Sequence, residues 1–395
     1  MRADFMFTSE SVTEGHPDKL CDQISDAIVD HFLEQDPYAR VIAECAVATG
    51  VIFIATHYAS TAVVDLPEVA RRVIRQAGYL TGEFNADECT ILTNVRELPR
   101  LEAEVVDERA MTDEALYALV SRDQVTVFGF ACDQSAALMP LPIYFAHRLA
   151  QRLAHVRQRR ELAYLSPDGK TQVGIEYHNR RPTRIHSITV TAAQLSADTP
   201  RAATLRDDLM EQVIWPAFED QPLRPDNKTH IFVNPGGVLV GGGPAVHAGL
   251  TGRKTAIDSY GEYCRHSGAA LSGKDPGRID RIGAYAARYA AKQVVAAGLA
   301  QECEVQLSYA IGQAAPISVQ VETFGTGRMD DAQIAEKLLA QIDFRVGGII
   351  GHFGLRQLPA KIPNVYRQLA AYGHVGRLDL NLPWECTDNV IRMPA

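Results

Sequence analysis

The sequence predicts an α+β protein with mostly antiparallel sheets, divided into three segments of similar size. Three observations carry this. Strand-like runs come as neighbouring pairs mixed with helical stretches, not as a strict alternation of one strand and one helix. The chain has 395 residues, enough for two or three domains and a sizeable core. Its character changes near Glu108, after a polar, acidic stretch, and near Asn234, where glycine becomes dense. Those changes delimit residues 1–108, 109–233 and 234–395.

The elements follow in order. Leu20, Ile24, Ile28 and Phe32 recur every fourth residue, and Pro17 stands where a first helical turn tolerates it, so a helix is expected over 18–33. Val41–Ala48 and Val51–Tyr58 are β-rich runs around Thr49-Gly50, the mark of a hairpin. Residues 68–77 read as a helix, 89–95 as a strand and 98–108 as a loop. A helix over 112–120 and a strand over 125–131 follow. Pro140 and Pro142 open a helix that runs to about Arg160. Strands near 171–177 and 185–192 flank a polar turn at His178–Arg181, and 206–218 reads as a helix. Glycine-rich stretches at 236–252 and 268–281 precede an alanine-rich helix over 284–300. Strands at 305–309 and 318–324 complete the reading.

Composition narrows the function. Hydrophobic residues make up 46% and charged residues 22%, as in a globular protein. The net charge of -9 argues against a nucleic-acid or membrane-surface partner, which would need a basic face. No stretch reaches the roughly 18 apolar residues of a membrane span. The N-terminal residues lack the apolar core of a signal peptide. Seven cysteines are scattered singly without a CxxC pair, which disfavours zinc and thioredoxin-like chemistry and fits reduced thiols in a cytoplasm.

Four constellations could carry chemistry. In EGHPDKLCDQISDA, His16, Asp18 and Lys19 gather at a helix N-terminus, which suits an anion; Asp18 could hold a hard cation, or simply cap the helix. In GLTGRKT, Arg253 and Lys254 follow two glycines that let the backbone approach a phosphate, though a solvated basic turn reads the same way. In HSGAALSGKDPGRIDR, the spacing of Gly268, Gly273 and Lys274 nearly matches a P-loop, but Asp275 replaces the Ser or Thr that would hold Mg2+. Pro276 leaves no immediate helix, so a P-loop NTPase is a poor reading, while Lys274 and Arg278 suit phosphate oxygens and Asp280 a second Mg2+ carboxylate. Finally, Glu44 lies in an apolar strand, where burial would be costly without a cation or hydrogen bonds. Asp123, Asp168 and Lys170 each fit a turn or cap as well as a ligand. Together these clusters of cations, carboxylates and glycines imply a polyphosphate with a divalent metal.

SESVTEGHPDKLCDQISDA, LMPLPIYFAHRL, GLTGRK, SGKDPGRIDR, AYAARYAAK, SYAIG and AAYGHVGR resemble the S-adenosylmethionine synthetase family, in the family's own order, from about Phe5 to about Asp388. The resemblance implies three similar subdomains around a pseudo-threefold axis, with helices outside the sheets. It implies a homodimer, often paired further into a homotetramer, with active sites between subunits. Its substrates would be ATP and methionine or an analogue. His16, Lys170, Arg253, Lys254 and Lys274 would bind the triphosphate. Arg278 stands where the family usually has Lys. Asp18 and Asp280 would ligate two Mg2+ ions, and Glu44 would sit at a K+ site. Asp123 and Asp168 would hold the ribose and base region.

The chain departs from the family mainly around the amino-acid substrate. His57 and His247 stand where the family usually has a Glu and an Asp. Leu239 replaces the aromatic that stacks on adenine. The gating loop before Asp123 differs, its usual Gln aligning roughly with Glu97. Two imidazoles suit an ammonium group less well than two carboxylates. The expected reaction is adenosyl transfer from ATP to the sulfur of methionine. A different, possibly anionic, adenosyl acceptor and a non-catalytic ATP-binding regulatory subunit stand as alternatives.

Overall fold

The computed structural model describes residues 4–100, 107–195 and 200–387. In chain order the elements are β1 (Phe5–Val12), α1 (Pro17–Gln35), β2 (Arg40–Ala48), β3 (Val51–Ala59), α2 (Leu66–Ala77), β4 (Thr90–Glu97), α3 (Asp113–Ala118), β5 (Val125–Cys132), α4 (Leu141–Gln158), β6 (Leu165–His178) and β7 (Arg181–Gln194). They continue as α5 (Ala202–Leu209), α6 (Trp215–Phe218), β8 (His230–Val233), β9 (Gly249–Leu250), α7 (Thr255–Asp258), α8 (Ile279–Ala296), β10 (Glu302–Tyr309), β11 (Ser318–Glu322), α9 (Asp331–Gln341), α10 (Val346–Phe353), α11 (Leu358–Lys361) and α12 (Val365–Leu369).

The described residues form three sheets, ordered β1-β6-β7-β8, β4-β3-β2-β9 and β11-β10-β5. Among the described residues only the β3–β4 and β7–β8 ladders are parallel, so the α+β class with mostly antiparallel pairing holds. Each sheet draws strands from distant parts of the chain. β1 pairs with β6 from Phe5 opposite Tyr177 to Val12 opposite Lys170. β5 pairs with β10, and β9 with β2.

Alternation along β2 and β3 decides what lies inside. Val41, Ala43, Cys45, Val47, Ile52 and Ile54 are buried, under a layer in which Leu20, Ile24 and Ile28 of α1 are also fully buried. Each such aliphatic side chain contributes about 2 kcal/mol of burial. A second core forms where Phe145, Leu149 and Leu153 of α4 pack on Val173, Ile175, Ile188 and Val190 of β6 and β7.

The other face of the β4-β3-β2-β9 sheet is open. Leu92, Phe53, Ala46 and Leu250 lie in one cross-strand row, and Leu92, Phe53 and Leu250 are exposed. A parallel row holds Arg96, His57, Ile42 and, through an isolated bridge, Lys274.

Several expectations need correction. The alanine-rich helix starts at Ile279, not 284, because Pro276 lies upstream of its cap and interrupts no helical hydrogen bond. The helix expected over 206–218 begins at Ala202 and passes through a π-helical turn at Met210–Ile214 just before Pro216, whose missing N–H breaks the regular ladder. The helix expected over 112–120 shortens to α3. β1, β8 and the helices after residue 330 were not anticipated. Of the loop at 98–108, residues 101–106 lie outside the described residues, and Glu108 begins a 3-10 turn.

Candidate active site

The first group of site residues forms where β1 runs into α1. His16 is the N-cap of α1, and its Nδ1 accepts the Asp18 N–H at 3.2 Å. The capping role considered for Asp18 therefore belongs to His16. The Asp18 carboxylate turns to the glycine-rich loop instead: its Oδ1 accepts the Leu250 N–H at 3.1 Å and lies 3.4 Å from Arg253 Nε. Its Oδ2 is buried without a hydrogen-bond partner among the described residues.

His16 is pushed down to about 3, by burial first and then by Lys170, Lys254, Lys19 and His247. It is thus a neutral imidazole among cations. With Nδ1 accepting, its proton sits on Nε2, which is free to donate. Asp168 stands nearby. Its Oδ2 accepts the Gly243 N–H at 2.9 Å, and its Oδ1 is buried without a partner. Burial raises its carboxyl, opposed by Lys170 and His247 among others. Lys254 lies 3.7 Å from Glu10. Leu239, half-buried, accepts the Gln194 N–H at 2.9 Å at the start of the same loop. A cavity of about 710 Å³ adjoins this group through Pro167, Gly241 and Gly242.

The second group gathers around the start of α8. Lys274 Nζ lies 3.4 Å from Asp280 Oδ1, in the first turn of that helix. Asp280 Oδ2 is buried without a partner among the described residues. Arg278, at the N-cap position, donates to Asp123 at 2.8 Å. Lys274 shares the open sheet face with His57, because Ile42 is opposite both. Glu44 lies on the same face and is exposed, so burial gives no reason for a cation there.

The two groups are anchored at different points along α1. Gly273, beside Lys274, is pinned to Asp26, about 15 Å further along α1 than His16. His16, Asp18, Asp168, Lys170, His247, Arg253 and Lys254 converge at one end, while Lys274, Arg278, Asp280 and Asp123 meet at the other, with His57 and Glu44 on the adjoining face. Among the described residues no cluster of three or more acidic, histidine or cysteine side chains suits a metal. A magnesium ion, however, commonly takes one or two carboxylates and completes its shell with water and phosphate oxygens. The unpartnered oxygens of Asp18 and Asp280 fit that need.

Sequence reasoning missed the buried ions beneath these groups. Lys19 Nζ reaches Asp22 at 2.8 Å and also pairs with Asp258. Arg281 pairs with Asp26, both fully buried. The available signal was an aspartate at every fourth position of α1.

Comparison with known proteins covers the same ground. Models of the N-terminal, central and C-terminal domains of S-adenosylmethionine synthetase match residues 4–99, 118–239 and 241–386. The chain is 48% identical over 403 residues to the S-adenosylmethionine synthase of Synechococcus elongatus, spanning 98% of this chain and 96% of that protein. It is 47% identical over 403 residues to that of Gloeothece citriformis, spanning 99% and 96%. Against that of a Synechocystis species the identity is 46% over 400 residues, spanning 98% and 94%.

Proposed function

The chain belongs to the S-adenosylmethionine synthetase family, and we propose from that premise that it transfers the adenosyl group of ATP to the sulfur of L-methionine. The triphosphate leaves whole and water then hydrolyses it, so the products are S-adenosylmethionine, phosphate and diphosphate. The observation that carries the reading is the gathering of Lys170, Arg253 and Lys254 around neutral His16 and the half-satisfied carboxylate of Asp18.

The chemistry suits these residues. A methionine sulfur lone pair attacks C5′ of ATP, the C5′–O bond breaks, and its electrons leave on the triphosphate. Sulfur becomes a sulfonium and has no proton to lose, so no general base is needed. Negative charge grows on the leaving group, where preorganised cations lower the barrier. In this reading His16, Lys170, Arg253, Lys254, Lys274 and Arg278 hold the triphosphate, and the Nε2–H of His16 points a donor at it. Asp168 Oδ1 offers an acceptor to a ribose hydroxyl, with Asp123 in the nucleoside region. Asp18 and Asp280 would hold Mg2+, which would supply positive charge to the phosphate oxygens. Glu44 would hold K+ once the partner copy covers the sheet face on which it is exposed. His57, His247 and Leu239 line the space for methionine and adenine.

The separation of the two groups supports a homodimer in which each active site takes one group from each copy. The exposed apolar row Leu92–Phe53–Ala46–Leu250 beside His57 and Lys274 is the surface we assign to that contact, and a tetramer would be a pair of such dimers. Seven free cysteines fit a cytoplasmic setting.

Incubation with ATP, Mg2+ and methionine tests the reading, with products identified by mass spectrometry. S-adenosylmethionine without ADP is expected. Adenosylation of a different thioether or amino acid, with none of methionine, would replace the acceptor. No turnover with any of them would leave an ATP-binding regulatory subunit.

A further inference from the structure

We propose that Asp22 and Asp26 are positioning residues that dock the two phosphate-binding loops on α1, an inference that rests on the adenosyl-transfer reading above. α1 carries Asp18, Asp22, Asp26 and Asp30 at four-residue spacing, so all four lie on one helical face, and all four are buried. A buried carboxylate is costly unless it is bonded. Here each is met by at least one main-chain N–H group from residues 250–367.

Asp22 Oδ1 accepts the Gly252 N–H at 2.7 Å, and Asp26 Oδ1 accepts the Gly273 N–H at 2.8 Å. Asp30 takes the Tyr366 and Arg367 N–H groups at 3.2 and 2.9 Å. The two middle contacts have a special place in the chain. Gly252 immediately precedes Arg253, and Gly273 immediately precedes Lys274. Both glycines have left-handed backbones, with φ of 77° and 78°. A side chain at Gly252 would strike Ala270, and one at Gly273 would strike the Ala43 carbonyl. The direction in which each cation leaves the loop is therefore set by a backbone state that the aspartate anchors.

Each anchor is itself fixed from behind. Lys19 donates to Asp22 Oδ2 at 2.8 Å and is held by Asp258, while Arg281 pairs with Asp26. Neither aspartate belongs to the groups that would touch ATP; each acts through a neighbouring amide. One turn of α1, about 6 Å, thus sets the spacing between the Arg253 loop and the Lys274 loop. The same helix begins at His16 and Asp18, so it carries both groups on one rigid element.

The test measures binding of inorganic tripolyphosphate with Mg2+ by calorimetry, alongside KM for ATP, kcat and thermal stability. Asp22→Ala and Asp26→Ala are expected to weaken tripolyphosphate binding about tenfold and to raise KM for ATP by a similar factor. Asp22→Asn keeps an oxygen for the Gly252 N–H and is expected to recover most of that loss. Asp30→Asn, on the same face but away from both loops, is expected to lower stability while binding tripolyphosphate like the wild type. Folded alanine variants with wild-type affinity would overturn the proposal. If they do not fold, Gly252→Ala replaces them: it keeps the carboxylate, must reproduce the binding loss, and overturns the proposal if it does not. Binding needs no turnover, so a protein that binds tripolyphosphate but forms no S-adenosylmethionine counts against the proposed reaction alone.

Discussion

At the residue scale, Lys274 and Gly243 show two different demands on a site. Lys274 supplies charge, 3.4 Å from Asp280 and only partly buried. Its removal leaves the fold with little to lose. Lys274→Ala is expected to lower kcat/KM for ATP about a hundredfold, measured by S-adenosylmethionine formation, with thermal stability unchanged. Gly243 supplies shape. Its φ is 66°, its N–H reaches Asp168, and any Cβ there would collide with the Tyr79 hydroxyl. Gly243→Ala is expected to cost about 1–3 kcal/mol in urea unfolding and to weaken ATP binding, because the loop must move off Asp168. Lys274 was legible in the sequence, since a cation beside glycines has an obvious use. The bond between Gly243 and Asp168 was not, because nothing in a glycine run names its partner.

At the element scale, α8 shows how a helix is tied to a distant turn. Arg288 and Lys292, one turn apart and buried, both reach the carboxylate of Glu385, at 2.9 and 2.8 Å. Glu385 also accepts the Gly376 N–H at 2.8 Å. Removing the single anion leaves two cations in the core. Glu385→Gln is expected to lower stability by about 3 kcal/mol, read as a shift of the urea midpoint at unchanged slope. The span of α8 was partly legible from its alanines, but its first turn was hidden behind Pro276. The start matters for the site, because it puts Asp280 on a helix and within reach of Lys274.

At the scale of the whole molecule, buried histidines and an open sheet set the behaviour. Burial pushes His147 down to about 3 and holds His374 well below its ordinary value. Both are neutral in the folded state and take up protons more readily when unfolded. Their contribution to stability is therefore complete above about 6.5 and is lost as pH falls below it. The melting temperature is expected to drop over that acid range, and His147→Gln is expected to make the drop shallower. The open face carries Phe53, 43% exposed, in its apolar row. On the proposed dimer, Phe53→Asp is expected to yield a monomer in sedimentation experiments and, with it, loss of adenosyl transfer, because the His16 group of one copy would no longer meet the Lys274 group of the other.

The sequence by itself determined the α+β class, α1, the β2–β3 hairpin, most of α4 and the identity of the cation-bearing loops. These rest on periodicity and turn chemistry, which act between residues a turn or two apart. Only the tertiary structure decided that β1 lies along β6, that His16 rather than Asp18 caps α1, and that the site residues fall into two groups. Ser9 and Ser11 are buried in β1, so its polarity disguised a core strand. The Leu250 N–H finds Asp18 across 232 positions. Such pairings are settled by the need to satisfy buried polar groups after the chain has collapsed, and no local pattern records which partner will be there.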